Sequence, residues 1–284
     1  MLDHTVRTLQ ETRKKTDKAG YIAQLNLFSG SKDQLLTQIK KRIKGEGQST
    51  GNASKLLTIA TPNPEMVVLS VSDEEFDKLL QEFDIRIPDG IGLVKAAQLV
   101  GALPASAERI PGVEVVAELL TEEKLTSGAV YILGGREYAG ARIGSWVVQD
   151  VSQVGIETEQ KTLWWQHGFL ERSDQTPEER QAIRTSIEAK KPTVLFVALG
   201  APAQEQWLLH NREWLEAAGV RVAMVVGGAF DMLFGKIPRA PGWMQQGGLE
   251  WAYRLYQEPW RWRRQLRLVR FLTIVGKEWL STKK

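Results

Sequence analysis

Residues 192–228 read PTVLFVALGAPAQEQWLLHNREWLEAAGVRVAMVVGG. Two nearly continuous apolar runs, 192–200 and 220–228, each end in glycine, and the stretch between them has helical character with a glycine stop. Apolar runs without alternation fit strands covered on both faces, and strand–helix–strand is the unit of a parallel sheet. The signature recurs upstream. LLTIA (56–60) runs into TPNPE, and AVYILGG (129–135) is a buried strand with a glycine turn. IRIPDGIGLV (85–94) is a strand entering a glycine-punctuated turn. Residues 66–83 read as helical, and REYAGARIGSWVVQD (136–150) as a helix. GEGQSTGNAS (45–54) is a flexible polar loop, and no internal repeat is present. The expected fold class is α/β, a Rossmann-like, doubly wound, mainly parallel sheet over residues 21–240. An N-terminal arm (1–20) precedes it, and a basic amphipathic helical appendage (241–284) follows.

The appendage carries charge that the rest of the chain lacks. From Pro241 onward there are nine Lys/Arg against three acids, net +6 within a chain of net +3, so the first 240 residues sum to −3. The same segment holds Trp243, Trp251, Trp260, Trp262 and Trp279, five of the ten tryptophans. Cations interleaved with indoles suit an anionic lipid interface, and guanidinium groups bind phosphate oxygens bidentately. Pro259 divides the segment into helices over about 248–257 and 259–280. On the second, Trp262, Leu266, Val269, Thr273 and Gly276 form a mainly apolar stripe. The plain alternative is a helix packed on its own domain or on another subunit. Nucleic acid is not expected, because the body offers no basic patch.

The chain has no cysteine, which excludes disulfides, thiolate metal sites and a cysteine nucleophile. Its start is polar and no run of 18 apolar residues occurs, so the expected location is cytoplasmic with peripheral membrane contact. GxxxxGK[ST], GxGxxG after the first strand, HExxH, GxSxG and DxD are all absent. A metal site is not expected. In a parallel sheet, ligands bind at the carboxyl ends of the strands. TPNPE, PDG, LGGRE, LGAPAQEQ and GGAFD should therefore share one rim. Asp89, between Pro88 and Gly90, is placed either as a general base or as a helix cap. Asp231 either holds ribose hydroxyls or caps a helix. Gln204 and Glu205 open a helix whose N-terminus could bind pyrophosphate, although Glu205 also suits the helix dipole.

Taken in order, TPNPEMV, PDGIGLV, ERIPGVE, LGGRE, HGFL, LGAPAQEQW, GGAFDMLFGKIPRAP and GLEWAYRLYQEPWRWRR resemble the WecG/TagA/CpsF glycosyltransferases over about residues 21–270. The resemblance implies inverting transfer of N-acetylmannosamine, or a relative, from a UDP-sugar. The acceptor would be the C4 hydroxyl of N-acetylglucosamine on polyprenyl diphosphate, giving a β1,4-linked lipid disaccharide for cell-wall or surface polysaccharide. It implies Asp89 as general base, Thr61 and Asn63 as nearby pocket residues, and Arg109 near substrate phosphates. Gln204 and Asp231 would contact the nucleotide-sugar, while Arg254, Arg261 and Arg264 would meet a diphosphate. No cofactor or metal is implied, and homo-oligomers and the inner face of the plasma membrane fit the family. Pro88 and Ala203 depart from its usual motifs. Alternatives are a transferase for UDP-ManNAcA or another UDP-hexosamine, a noncatalytic sugar-nucleotide or lipid-binding module, and a Rossmann oxidoreductase.

Overall fold

The computed structural model describes residues 20–46, 56–122, 125–152, 160–169, 175–247, 249–257, 259 and 262–283. The expected arm, apart from Gly20, lies outside them, as do most of the 45–54 loop and Arg261. Eight described strands form one sheet: β1 (Leu57–Ala60), β2 (Ile85–Arg86), β3 (Val130–Gly134), β4 (Arg142–Ile143), β5 (Trp146–Asp150), β6 (Lys161–Gln166), β7 (Val194–Ala198) and β8 (Val222–Val225). Their order is β2-β1-β8-β7-β3-β6-β5-β4. All neighbouring pairs are parallel except β4 with β5.

Alternate strand residues feed two cores. Tyr131, Leu133, Leu195, Val197, Ala223 and Val225 pack into one. Val130, Ile132, Val194, Phe196, Val222 and Met224 pack into the other. The first core takes in side chains of α3 (Pro64–Ser72), α4 (Glu74–Gln81), α5 (Ile91–Leu99) and α13 (Trp262–Thr282). The second takes in α2 (Lys32–Lys44), α6 (Gly112–Leu120) and α10 (Ala229–Leu233). Both faces of the sheet are covered, which is the doubly wound arrangement expected.

Several expectations need correction. Residues 136–150 are not a helix. Gly140 and Gly144 take positive φ, 78° and 54°, and turn the chain into the β4–β5 pair. Trp146, Val147 and Val148 are buried there, as aromatic and β-branched residues in a strand usually are. The 66–83 stretch is helical as expected and divides in two, because Asp73 ends α3 and accepts a hydrogen bond from Phe76 N–H as the cap of α4. The segment from Ile91 opens α5, after Gly90 at φ 91°. The helix between β7 and β8 is divided at Asn211 into α8 (Ala203–His210) and α9 (Arg212–Ala217). Strand β6 had not been expected at all.

The appendage folds back onto the body through α11 (Gly242–Gln246), α12 (Glu250–Gln257) and α13. Helix α13 packs on α3 with a different face from the one its pattern suggested. Phe271, Ile274, Val275 and Glu278 are buried, while Trp262, Leu266 and Val269 of the expected stripe are exposed. The helix has apolar residues on two sides, and the core takes the side bearing Phe271. At its far end, the Glu278 carboxylate accepts hydrogen bonds from Ile22 and Ala23 N–H, both 3.1 Å, at the start of α1 (Tyr21–Gln24). A Cβ at Gly20 would collide with that carboxylate, so a larger residue there would displace Glu278 from its contact.

Removing the Glu278 carboxylate strands two backbone donors. Glu278→Ala is expected to lower unfolding free energy by about 1–3 kcal/mol, read from urea denaturation. An unchanged midpoint would show that the contact does not hold α13 in place.

Candidate active site

The chain leaves each of β1, β2, β3, β7 and β8 at the same edge of the sheet, and a cavity of about 1180 Å³ opens there. Its wall includes residues from all five expected rim segments: Thr61 and Asn63, Asp89, Arg136, Gln204, and Asp231. Arg109, Glu250 and Arg254 add to its polar lining. Leu69, Leu99, Leu268, Val269, Leu272 and Val275 supply apolar lining.

Asp89 sits just beyond β2, with its backbone N–H bonded to Pro62 O at 2.8 Å. It does not cap α5. The cap residue is Gly90, which makes no side-chain cap bond. The Asp89 carboxyl stands half-buried in the cavity wall, and desolvation there raises its pKa above the ordinary aspartate value. Arg109 opposes that shift, Glu250 reinforces it, and Arg254 and the Gly90 backbone oppose it. A carboxylate that holds a proton more tightly than usual, in a cleft beside cations, suits a general base.

Arg109 comes from the loop before α6, and Glu250 starts α12. Their side chains meet at 2.5 Å (Nη2 to Oε2) and are only 16% and 18% exposed. The Nε atoms of Arg109 and Arg254 are buried without hydrogen-bond partners. Such donors carry a standing desolvation cost that an anion in the cavity would relieve. Gly228 admits Arg254: a Cβ there would stand 3.2 Å from its Nη2 and 3.4 Å from Asp231 Oδ2. The side chain of Arg264, like Arg261, lies outside the described residues. Arg267, which had not been singled out, lines the cavity and approaches Glu65 at 4.0 Å.

Thr61 and Asn63 are partly committed to the fold. Thr61 Oγ1 donates to Val225 O at 3.3 Å, which ties β1 to β8. Asn63 Oδ1 caps α3 through Glu65 and Met66 N–H, so only its amino end is left for a ligand. Asp231 is not a helix cap either, since Gly228 holds that position before α10. Instead Asp231 Oδ1 accepts from Tyr138 Oη at 2.7 Å and lies 3.6 Å from Arg136 Nε. Burial and the Asp231 carboxylate push the Tyr138 phenol well above its usual range, so it remains a donor. Tyr138 lies 93 residues from Asp231, and its neighbouring sequence gives no sign of the contact.

Gln204 and Glu205 act together. Gln204 Nε2 donates to Glu205 Oε1 at 2.7 Å, and Gln204 Oε1 accepts from Gly227 N–H at 3.1 Å. The pair thus joins α8 to the loop after β8. Glu205 is fully buried, not an exposed acid at a helix dipole, and its Oε2 has no partner. Burial pushes its pKa up to about 7, with the Gln204 and backbone hydrogen bonds pulling it back. Among the described residues, no group of three or more His, Asp or Glu is placed to hold a metal ion.

The family model for the glycosyl transferase WecG/TagA/CpsF family matches residues 21–284. Similar proteins include the N-acetylglucosaminyldiphosphoundecaprenol N-acetyl-beta-D-mannosaminyltransferase of Bacillus subtilis (strain 168). It is 31% identical over 220 residues, 78% of this chain and 79% of the relative. The enzyme of the same name from Bacillus spizizenii is 31% identical over 219 residues, 77% and 78% of the two chains. That from Staphylococcus aureus (strain MRSA252) is 29% identical over 209 residues, 73% of each.

The raised Glu205 pKa has a definite sign for stability. The folded state binds the proton more tightly than the unfolded state, so the stabilisation is complete below about pH 4.5 and is lost as pH rises through about 7. Glu205→Gln imitates the protonated form. From pH 5 to pH 8 it should gain on the wild type by up to about 3 kcal/mol in thermal or urea unfolding. A difference independent of pH would contradict a buried, titrating Glu205.

Proposed function

We propose, for a chain that belongs to the WecG/TagA/CpsF glycosyltransferase family, transfer of N-acetylmannosamine from a UDP-sugar to the C4 hydroxyl of N-acetylglucosamine on polyprenyl diphosphate. The observation that carries this reading is the juxtaposition of one half-buried carboxyl of raised pKa, Asp89, with Arg109 and Arg254, whose Nε atoms lack hydrogen-bond partners. The names of the relatives support the acceptor and the sugar. The cavity, at about 1180 Å³, exceeds the usual range of about 300–1,000 Å³ for a single ligand and has room for donor and acceptor together.

Asp89 takes the proton from the acceptor hydroxyl. The hydroxyl oxygen attacks C1 of the donor sugar, the new C–O bond forms on the face opposite the leaving group, and the bond from C1 to the diphosphate breaks. One base and no covalent intermediate give inversion. UDP leaves with the electron pair of that bond, and Arg109 and Arg254 hold its charge, the electrostatic role that dominates transfers of this type. Gln204 and Asp231, held by Glu205 and Tyr138, are placed to orient the nucleotide-sugar. Arg261 and Arg264 remain proposed partners of the diphosphate. No cofactor is assigned, and a metal-independent reaction is part of the proposal because guanidinium groups supply the positive charge.

The proposed site of action is the inner face of the membrane. No helix among the described residues is long and apolar enough to cross one. The exposed apolar residues of the appendage, Trp243, Trp251, Tyr256, Leu266, Val269 and Leu272, lie among cations and support peripheral docking on an anionic leaflet. Homo-oligomers remain compatible with this arrangement.

Asp89→Asn should reduce turnover of a short-chain lipid-diphosphate N-acetylglucosamine by about a hundredfold or more while leaving UDP binding intact. EDTA should not change wild-type turnover. Near-normal activity in Asp89→Asn would remove Asp89 as the base. For docking, Leu266→Glu with Leu272→Glu should weaken co-sedimentation with anionic vesicles more than about tenfold. Undiminished sedimentation of that variant would reject this surface.

A further inference from the structure

The appendage contributes an anion to the site as well as cations. Glu250, the first residue of α12, reaches across to Arg109, which is 141 residues earlier in the chain. We propose that Glu250 is a positioning residue: seated against Arg109, it withholds that guanidinium from Asp89 and so leaves the Asp89 carboxylate available to the acceptor hydroxyl. The inference rests on the reading of Asp89 as the base.

The groups acting on Asp89 are few. Arg109, from the loop before α6, favours its charged form, and so does Arg254 on α12, whereas Glu250 favours the protonated form. Farther round the cavity stand Glu65 on α3, Lys95 on α5, Arg136 after β3, Asp231 on α10 and Arg267 on α13. Of the acids in that wall, Glu65 faces Arg267, and Asp231 is held by Tyr138 and Arg136. With α12 lifted away, Arg109 loses its carboxylate partner, and Asp89 is the acid to which it is already electrostatically coupled. A guanidinium on Asp89 would occupy the oxygens that must receive the proton and would make the carboxylate a weaker base.

Docking of the appendage reverses both effects. Glu250 takes one edge of the Arg109 guanidinium, while the buried Arg109 Nε stays without a hydrogen-bond partner. The base is therefore competent only while the appendage is seated. An open site, into which water can also reach, is held back.

The test is the pH profile of kcat/KM for the full-length protein with UDP-N-acetylmannosamine and a short-chain lipid-diphosphate acceptor. Glu250→Gln keeps the size and a hydrogen-bond acceptor but removes the charge. It should lower kcat at neutral pH at least about tenfold and move the acidic limb to lower pH, because an ionised Asp89 is then favoured. Glu250→Asp, which keeps the charge, should retain the wild-type limb and carries the test if the Gln variant fails to fold. An acidic limb that stays in place in Glu250→Gln, whether or not kcat falls, overturns the proposal and reduces Glu250 to a structural contact. The parallel Asp89→Asn assay separates the two readings. If that variant is inactive while the Glu250→Gln limb is unmoved, only the role of Glu250 fails. If it is active, the base assignment fails and takes the proposal with it.

Discussion

The parallel hydrogen-bond ladder that joins β1, β8, β7 and β3 is the constraint on which the site depends. Parallel strands end on the same side, so every segment that leaves these four strands, and that which leaves β2, arrives at one rim. Thr61, Asp89, Arg136, Gln204 and Asp231 are far apart in sequence and meet for this reason alone. The exception proves useful: β4 runs antiparallel at the sheet edge, and no residue of it lines the cavity. The cores on both faces follow from the same geometry, because crossovers between parallel strands cover both sides of a sheet.

A cation-rich appendage then has to be held against this rim. The segment from Pro241 is net +6, and two of its three acids contact the body, as does Arg267 through Glu65. Glu250 pairs with Arg109 beside the cavity, and Glu278 binds the backbone N–H groups that open α1. Apolar packing of Phe271, Ile274 and Val275 supplies the rest of the attachment. The Arg254 Nε is buried without a hydrogen-bond partner.

The strands and the rim were legible because unbroken apolar runs ending in glycine have few other interpretations. Asp89, Gln204 and Asp231 were found as polar residues immediately after such runs. The 136–150 segment misled because its apolar residues are spaced ambiguously, and the two positive-φ glycines that decide for a hairpin resemble ordinary turn residues in sequence. Helix α13 misled for another reason: it is apolar on two sides, and only the shape of α3 selects which side is buried. Tyr138, Glu205 and Glu250 were beyond reading as partners. Tyr138 and Glu250 act through contacts 93 and 141 residues away, and Glu205 at the start of a helix looks like an ordinary dipole acid until its burial is known.

The two sides of α13 connect the chemistry with the surface on which it is proposed to occur. One side packs on α3, whose capping residue Asn63 lines the cavity. The other side carries Leu266, Val269 and Leu272, and Val269 and Leu272 also line the cavity while being 63% and 67% exposed. The cavity therefore shares Val269 and Leu272 with the apolar row that is proposed to meet the membrane. A lipid-linked sugar diphosphate could enter with its hydrocarbon chain still largely in the bilayer, so the apolar chain need not be transferred into water. The diphosphate would lie at headgroup depth, between the interface and the arginines, and the sugar hydroxyl would point inward toward Asp89. Under the proposed reading, membrane contact, seating of α12 and release of Asp89 from Arg109 are one event, because a single pair of helices carries all three.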